Sequence, residues 1–136
     1  MTVSELARRA EVTADTVRHY TKRGLLVPSR DENSGYKHYN SSDLVRLLFI
    51  RKARLLGFSL RDVGDILEES SHSRPSCPLA RKIMAQRLQE NRCRLQDLEK
   101  LLARMEHASA LWIKMADDIP DGNVICHLIE TIAIKD

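Results

Sequence analysis

The chain has 136 residues, enough for one domain or for a small domain with a long helical extension. Apolar residues at 43% and charged residues at 30% suit a helix-rich chain; no run reaches the roughly eighteen apolar residues of a membrane span, and MTVSELARRAE lacks a secretion signal's apolar core, so a cytoplasmic location with no membrane partner is expected. Net charge is +3, but residues 1–61 hold 12 Lys/Arg against 6 Asp/Glu and residues 62–136 hold 10 against 13, so the basic surplus sits in the amino-terminal half, where it suits a phosphate backbone.

Thr2 and Glu5 form a capping-box pattern before the apolar positions Val3, Leu6, Ala7 and Ala10 of a short helix. Thr13 caps a second helix that carries Val17 inward and that Gly24 terminates. Leu25, Leu26 and Pro28 lead away in an extended path. Residues 29–40 are polar, with turn signals over 31–35 and then Tyr36 and Tyr39, a pattern that predicts a β-wing. Ser41 or Ser42 caps the next helix, with Leu44, Leu47, Leu48, Ile50 and Ala53 apolar and Arg46, Arg51, Lys52 and Arg54 polar; Gly57 ends it. Ser59 with Asp62 starts another helix, buried through Leu60, Val63, Ile66 and Leu67. Residues 70–78 read as a linker.

From about 79 to 112 there is neither Gly nor Pro. Met84, Leu88, Asn91, Leu95, Leu98, Leu102, Met105, Ser109 and Trp112, at alternating steps of four and three, trace one seam of roughly 50 Å. That is a coiled-coil dimerisation helix, with Asn91 as a register device; a long helix packed on its own domain is the alternative. Asp117 to His127 breaks it, and Leu128, Ile129, Ile132 and Ala133 suggest a short terminal helix. The expected fold is thus mainly α: a winged helix–turn–helix DNA-binding domain over 1–70, a linker and coiled-coil dimerisation helix over 71–115, and a loop and short helix over 116–136.

Arg18-x-Tyr20, Gly24-Leu25-Leu26-x-Pro28-x-Arg30, Gly35-Tyr36-Lys37-x-Tyr39 and the run from Phe49 to Leu60 closely resemble the MerR family of transcription regulators, and the long helix and cysteine-bearing tail resemble its metal-sensing branch. The resemblance implies a homodimer that binds a promoter whose spacer is too long for RNA polymerase and distorts it when a ligand binds, through backbone contacts and DNA flexibility. By resemblance, Ala14, Thr16 and Val17 face the major groove, while Arg18, Tyr20, Tyr36, Lys37, Tyr39 and Arg54 contact phosphates. Lys37 replaces the more usual Arg, keeping the charge but losing the bidentate fork. The other reading of Tyr20 and Tyr39 is packing of helix against wing.

Cys77 starts the long helix and Cys126 follows its end, so an antiparallel pair would bring one chain's Cys77 towards the other's Cys126. Thiolates suit a soft or borderline ion. By resemblance, Cys at the position of Cys77 goes with divalent-ion sensors. The loop departs from the family pattern: Ala116, Asp117 and Asp118 stand where copper and zinc sensors carry a further Cys. Asp118 could supply an oxygen ligand, and His127 follows Cys126 directly. A set drawn from Cys77, Cys126, His127 and Asp118 favours Zn²⁺, with Cd²⁺, Pb²⁺ or Co²⁺ as alternatives. Cys126 could instead be a small buried apolar residue and His127 a surface side chain. Cys93 falls opposite the seam and is read as structural. A thiol-based redox or electrophile sensor is the competing function within the fold, and a constitutive architectural DNA-bending protein is the competitor from another class. No nucleophile–base grouping or phosphate loop suggests an enzyme.

Overall fold

The computed structural model describes residues 1–134. It is helical apart from a two-stranded wing, and it divides into a first unit, Met1–Arg87, and a second beginning at Leu88. The last two residues of the tail expected as a metal-binding segment lie outside the described ones.

The first unit starts with α1 (Val3–Ala10), whose N-cap Thr2 accepts the Glu5 N–H, and α2 (Ala14–Lys22), whose N-cap Thr13 accepts the Thr16 N–H. Gly24 takes φ +79, a left-handed turn that releases the chain from α2. The wing pairs β1 (Ser29–Arg30) with β2 (Lys37–His38) antiparallel, Arg30 opposite Lys37. Its turn is built on Asp31, which receives the Asn33 N–H on its carboxylate and the Gly35 N–H on its carbonyl.

Helix α3 (Ser41–Leu55) is capped by Asn40, not by either serine after it. Asp43 decides this: it is three residues beyond Asn40, so the Asn40 side chain takes the Asp43 N–H while the Asp43 carboxylate takes the Asn40 N–H. The same reciprocal box, Ser59 with Asp62, opens α4 (Leu60–Ser71). The core of this unit gathers Leu6, Val17, Leu26, Leu47, Ile50 and Val63, each essentially without solvent exposure.

The linker is shorter than the composition of 70–78 suggests. α4 continues through Ser71 and α5 (Cys77–Ile113) begins at Cys77, which leaves residues 72–76 between them. α5 has 37 residues, about 55 Å of helix. Its base is fastened to α4 by Arg87, whose Nε and Nη2 reach both oxygens of buried Asp62 at 2.8 and 2.7 Å. In the second unit the seam lies open: Leu88, Leu95, Leu98, Leu102 and Met105 are 47 to 60% exposed. The terminal helix, α6 (His127–Glu130), has only four residues, and the Trp112 Nε1–H on α5 donates to its Leu128 carbonyl at 2.9 Å. Among the described residues no helix is long and apolar enough to cross a membrane.

Candidate nucleic-acid interface and sensor loop

In the first unit, one groove is lined by Thr2, Val3 and Ser4 at the start of α1, Arg18 on α2, and Gly35, Tyr36 and Lys37 on the wing. Three of the residues expected at phosphates, Arg18, Tyr36 and Lys37, therefore share a surface. Tyr36 is 78% exposed with no packing role of its own, and Arg18 is held only by an exposed ion pair with Asp15 at 2.8 Å. Such a pair is worth about 0–1 kcal/mol, so a phosphate can displace it.

Two expected contacts are not on that surface. Val17 is fully buried beneath α2, and a side chain with no solvent exposure cannot meet a base edge. Tyr39 is 1% exposed. Thr21 donates its hydroxyl hydrogen to the Val17 carbonyl, so the Tyr39 phenol donates to Thr21 Oγ1 at 2.8 Å and ties wing to α2. Tyr20 is half-buried and, like Ala14, packs against the core. Thr16 is half-buried with its hydroxyl 2.8 Å from that of Thr13, within the cap. Arg54 is exposed, but Nη1 donates to the Phe58 carbonyl and closes the α3–α4 turn.

Other arginines of the basic half also act as clips. Arg46 Nε donates to the Leu25 carbonyl, and Arg51 Nη1 to the Ala10 carbonyl and the Glu11 carboxylate. A count of positive charge therefore overstates the cations presented to a ligand.

The second unit carries the tail. Cys126 is half-buried at the N-cap position of α6, and His127 opens the helix. His127 Nε2 lies 2.8 Å from the Ala116 carbonyl; a carbonyl only accepts, so Nε2 donates and Nδ1 is the ring nitrogen left without that contact. A histidine held in this way through one nitrogen is oriented to offer the other to a metal. Asp118 is exposed and accepts the Ile119 N–H. Asp121 accepts the N–H groups of Asn123 and Val124, which hold its carboxyl below the usual carboxylate range.

Among the described residues no three His, Cys, Asp or Glu side chains come together to hold a metal, so Cys126, His127 and Asp118 do not form a complete site within one chain. Cys77 is exposed at the first turn of α5. Cys93 is also exposed, with only the Gln89 amide near its sulfur, at 3.8 Å, so it fills no core and the structural role expected of it has no support. Sequence reasoning missed Glu130, whose carboxylate turns back to the Ile125 and Cys126 N–H groups; a Glu four residues after the candidate ligand was the available signal.

Residues 1–70 match the MerR HTH family regulatory proteins, and residues 44–108 match the MerR DNA-binding family. The HTH-type transcriptional regulator ZntR of Escherichia coli is 32% identical over 133 residues, 96% of this chain and 90% of that protein. A probable heavy metal-dependent transcriptional regulator of Haemophilus influenzae is 33% identical over 107 residues, 79% of this chain and 84% of that protein. The fold is that of a lead(II)-bound transcription regulator from Ralstonia metallidurans, with a TM-score of 0.76, 22% identity, and coverage of 98% of this chain and 99% of that one. The chain belongs to the MerR family of HTH regulatory proteins: it is a DNA-binding transcriptional regulator and not an enzyme.

Proposed function

We propose that this chain is a metal-responsive activator that works as a homodimer. Residues 1–70 grip promoter DNA, residues 71–115 carry the dimer seam, and residues 116–136 take the signal. Binding of a divalent ion, zinc first among the candidates, leads the dimer to distort an over-long promoter spacer so that RNA polymerase can use it. The observation that carries the reading is that Cys126 and His127 set a sulfur and a nitrogen donor on adjacent residues, with His127 Nε2 tied to the Ala116 carbonyl and Nδ1 left over. The heavy-metal dependence named for the Haemophilus influenzae relative supports it.

Two donors do not close a four-coordinate site. We assign the third to Cys77 of the partner subunit, because an antiparallel pair of α5 helices sets the start of one beside the end of the other. Asp118 is the candidate oxygen ligand. When bound, the ion supplies a cross-link between protein segments that are otherwise independent. The exposed seam on α5 supports the dimer, since five large apolar side chains in a row on one helix need a cover. Arg18, Lys37 and Tyr36 supply the backbone grip, with Thr16 and Ala14 beside them; Tyr20 and Arg54 join if DNA binding frees them from their present partners.

The test is a titration of the reduced apo-protein with Zn²⁺, Cd²⁺, Pb²⁺ and Co²⁺, repeated for Cys77→Ser and Cys126→Ser, with in vitro transcription from the target promoter alongside. Both variants should lose stoichiometric binding and metal-dependent transcription. Tight binding that survives both substitutions overturns the ligand set. Activation by an oxidant with no metal present would favour the thiol-sensor reading, and activation independent of either signal the architectural one.

A further inference from the structure

Cys126 occupies the N-cap position of α6 in extended conformation, φ −143 and ψ 107, yet its own side chain caps nothing. The task falls to Glu130. Its Oε2 accepts the Cys126 N–H at 3.0 Å and the Ile125 N–H at 3.1 Å, from one position further along the helix than a capping box uses. His127 is anchored to the Ala116 carbonyl and Leu128 to Trp112, so the short segment from 125 to 130 is held on both sides of the two candidate donors. A four-residue helix has too few internal bonds to hold itself, which makes these outside contacts decisive for its geometry.

We infer that Glu130 is a positioning residue of the sensor: it fixes the Cys126 backbone so that the thiolate is presented to the ion ready oriented. This rests on the reading of Cys126 as a ligand. Its Oε2 is committed to two amides, so we assign Glu130 to the backbone of the loop and not to the ion. What matters is an acceptor oxygen at this reach, not a charge. The substitution Glu130→Gln keeps that acceptor, whereas Glu130→Ala removes it and Glu130→Asp draws it back by one methylene.

The experiment uses the full chain, reduced, with three variants, E130Q, E130A and E130D. Amide exchange at Ile125 and Cys126 and the alkylation rate of Cys126 are read without metal; Co²⁺ affinity is read from the thiolate-to-cobalt absorption band. E130A and E130D should lose amide protection, expose Cys126 to faster alkylation and bind Co²⁺ about 10–100-fold more weakly, the usual cost of losing an outer-shell partner, while E130Q stays within about threefold of the parent. If E130Q keeps the amide protection but binds Co²⁺ as weakly as E130A, Glu130 is a ligand and the inference falls. It also falls if E130A loses protection with unchanged Co²⁺ affinity, or changes nothing. If the parent chain takes up no Co²⁺ while E130A still loses protection, the clamp stands and the metal reading of Cys126 falls instead.

Discussion

Replacing Asp62 by Ala should destabilise the first unit by about 3 kcal/mol. The carboxylate is 5% exposed and is engaged three times: twice by the Arg87 guanidinium, at 2.7 and 2.8 Å, and once by the Ser59 N–H at 2.9 Å. Truncating one partner of a buried pair costs about 3–5 kcal/mol. Arg87 is 30% exposed and can recover some hydration, which moves the pair's share below that range, to about 2 kcal/mol, and loss of the cap bond adds about 0.5–1.5 kcal/mol, about 3 kcal/mol in all. For a unit of this size each kcal/mol lowers Tm by about 4–8 °C, so a fall of about 12–24 °C is expected, read by circular dichroism at one fixed protein concentration. In the double variant with Arg87→Met the two effects should overlap, with a coupling of about 1–3 kcal/mol. The pH dependence follows from the same contacts. The Arg87 guanidinium first, and the Ser59 N–H after it, hold the Asp62 carboxyl far below its ordinary 3.8. A depressed folded-state pKa gives stability that is complete above the ordinary value and is lost as pH falls below it. The gap between parent and Asp62→Ala should thus be the same at about pH 7 and pH 5 and narrow only below about pH 4. A Tm within about 2 °C of the parent, or no coupling with Arg87, would refute the claim that this pair fastens α5 to α4.

Three further outcomes are expected. Arg18→Ala should weaken DNA binding evenly across sequences and reduce the salt slope by about one unit, while Asp15→Ala, which only removes a competing carboxylate, should not weaken it; filter binding between low and moderate salt decides. Tyr39→Phe should cost about 0.5–1.5 kcal/mol of stability with unchanged DNA affinity, and Tyr36→Ala the reverse, a loss of affinity with stability within about 0.5 kcal/mol. Leu95→Glu with Leu98→Glu should give monomers by sedimentation with α3 and the wing intact, and dimers that persist would refute the seam.

The helices were legible because their ends carry local chemistry: Thr2, Thr13 and Ser59 cap where their side chains can reach an N–H three residues on. Asn40-Ser41-Ser42 offered three cap-forming residues in a row, and only Asp43, correctly spaced for one of them, selects Asn40. The two wing tyrosines held a warning in their spacing. Residues three apart on an extended strand point to opposite faces, so Tyr36 and Tyr39 could not both reach a duplex. Val17 is the comparable case on α2, the apolar β-branched side chain that the short helix has to bury. The Asp62–Arg87 clasp, 25 residues apart, was beyond local reading. Neither partner is unusual by itself, and only the packing of α5 on α4 joins them. At the tail the sequence pointed to candidate donors but not to the contacts around them, because Ala116 contributes a carbonyl that any residue would supply.

The charge of the basic half bears on the proposed dimer. Twelve cations stand in residues 1–61, but Arg46, Arg51 and Arg54 each donate to a main-chain carbonyl that orders a turn or a helix end. Diverting them to phosphates would loosen the module that presents Arg18 and Lys37. Each phosphate neutralised contributes about 0.9 to the salt slope, so a module that grips only through the cations of one groove, Arg18 and Lys37, has a shallow slope and a weak grip. In the proposed dimer a pair of modules joined through α5 would make the second contact intramolecular, and affinity would then rise steeply without any new type of contact. On the proposed reading it would also turn grip into distortion, because two modules at a fixed separation hold a duplex at two places and a change in that separation must be taken up by the DNA between them. In such a design weak individual modules are an advantage. A strong grip by one module alone would hold DNA regardless of the signal, whereas in the proposed dimer a grip shared by two would depend on how the tail and seam set them.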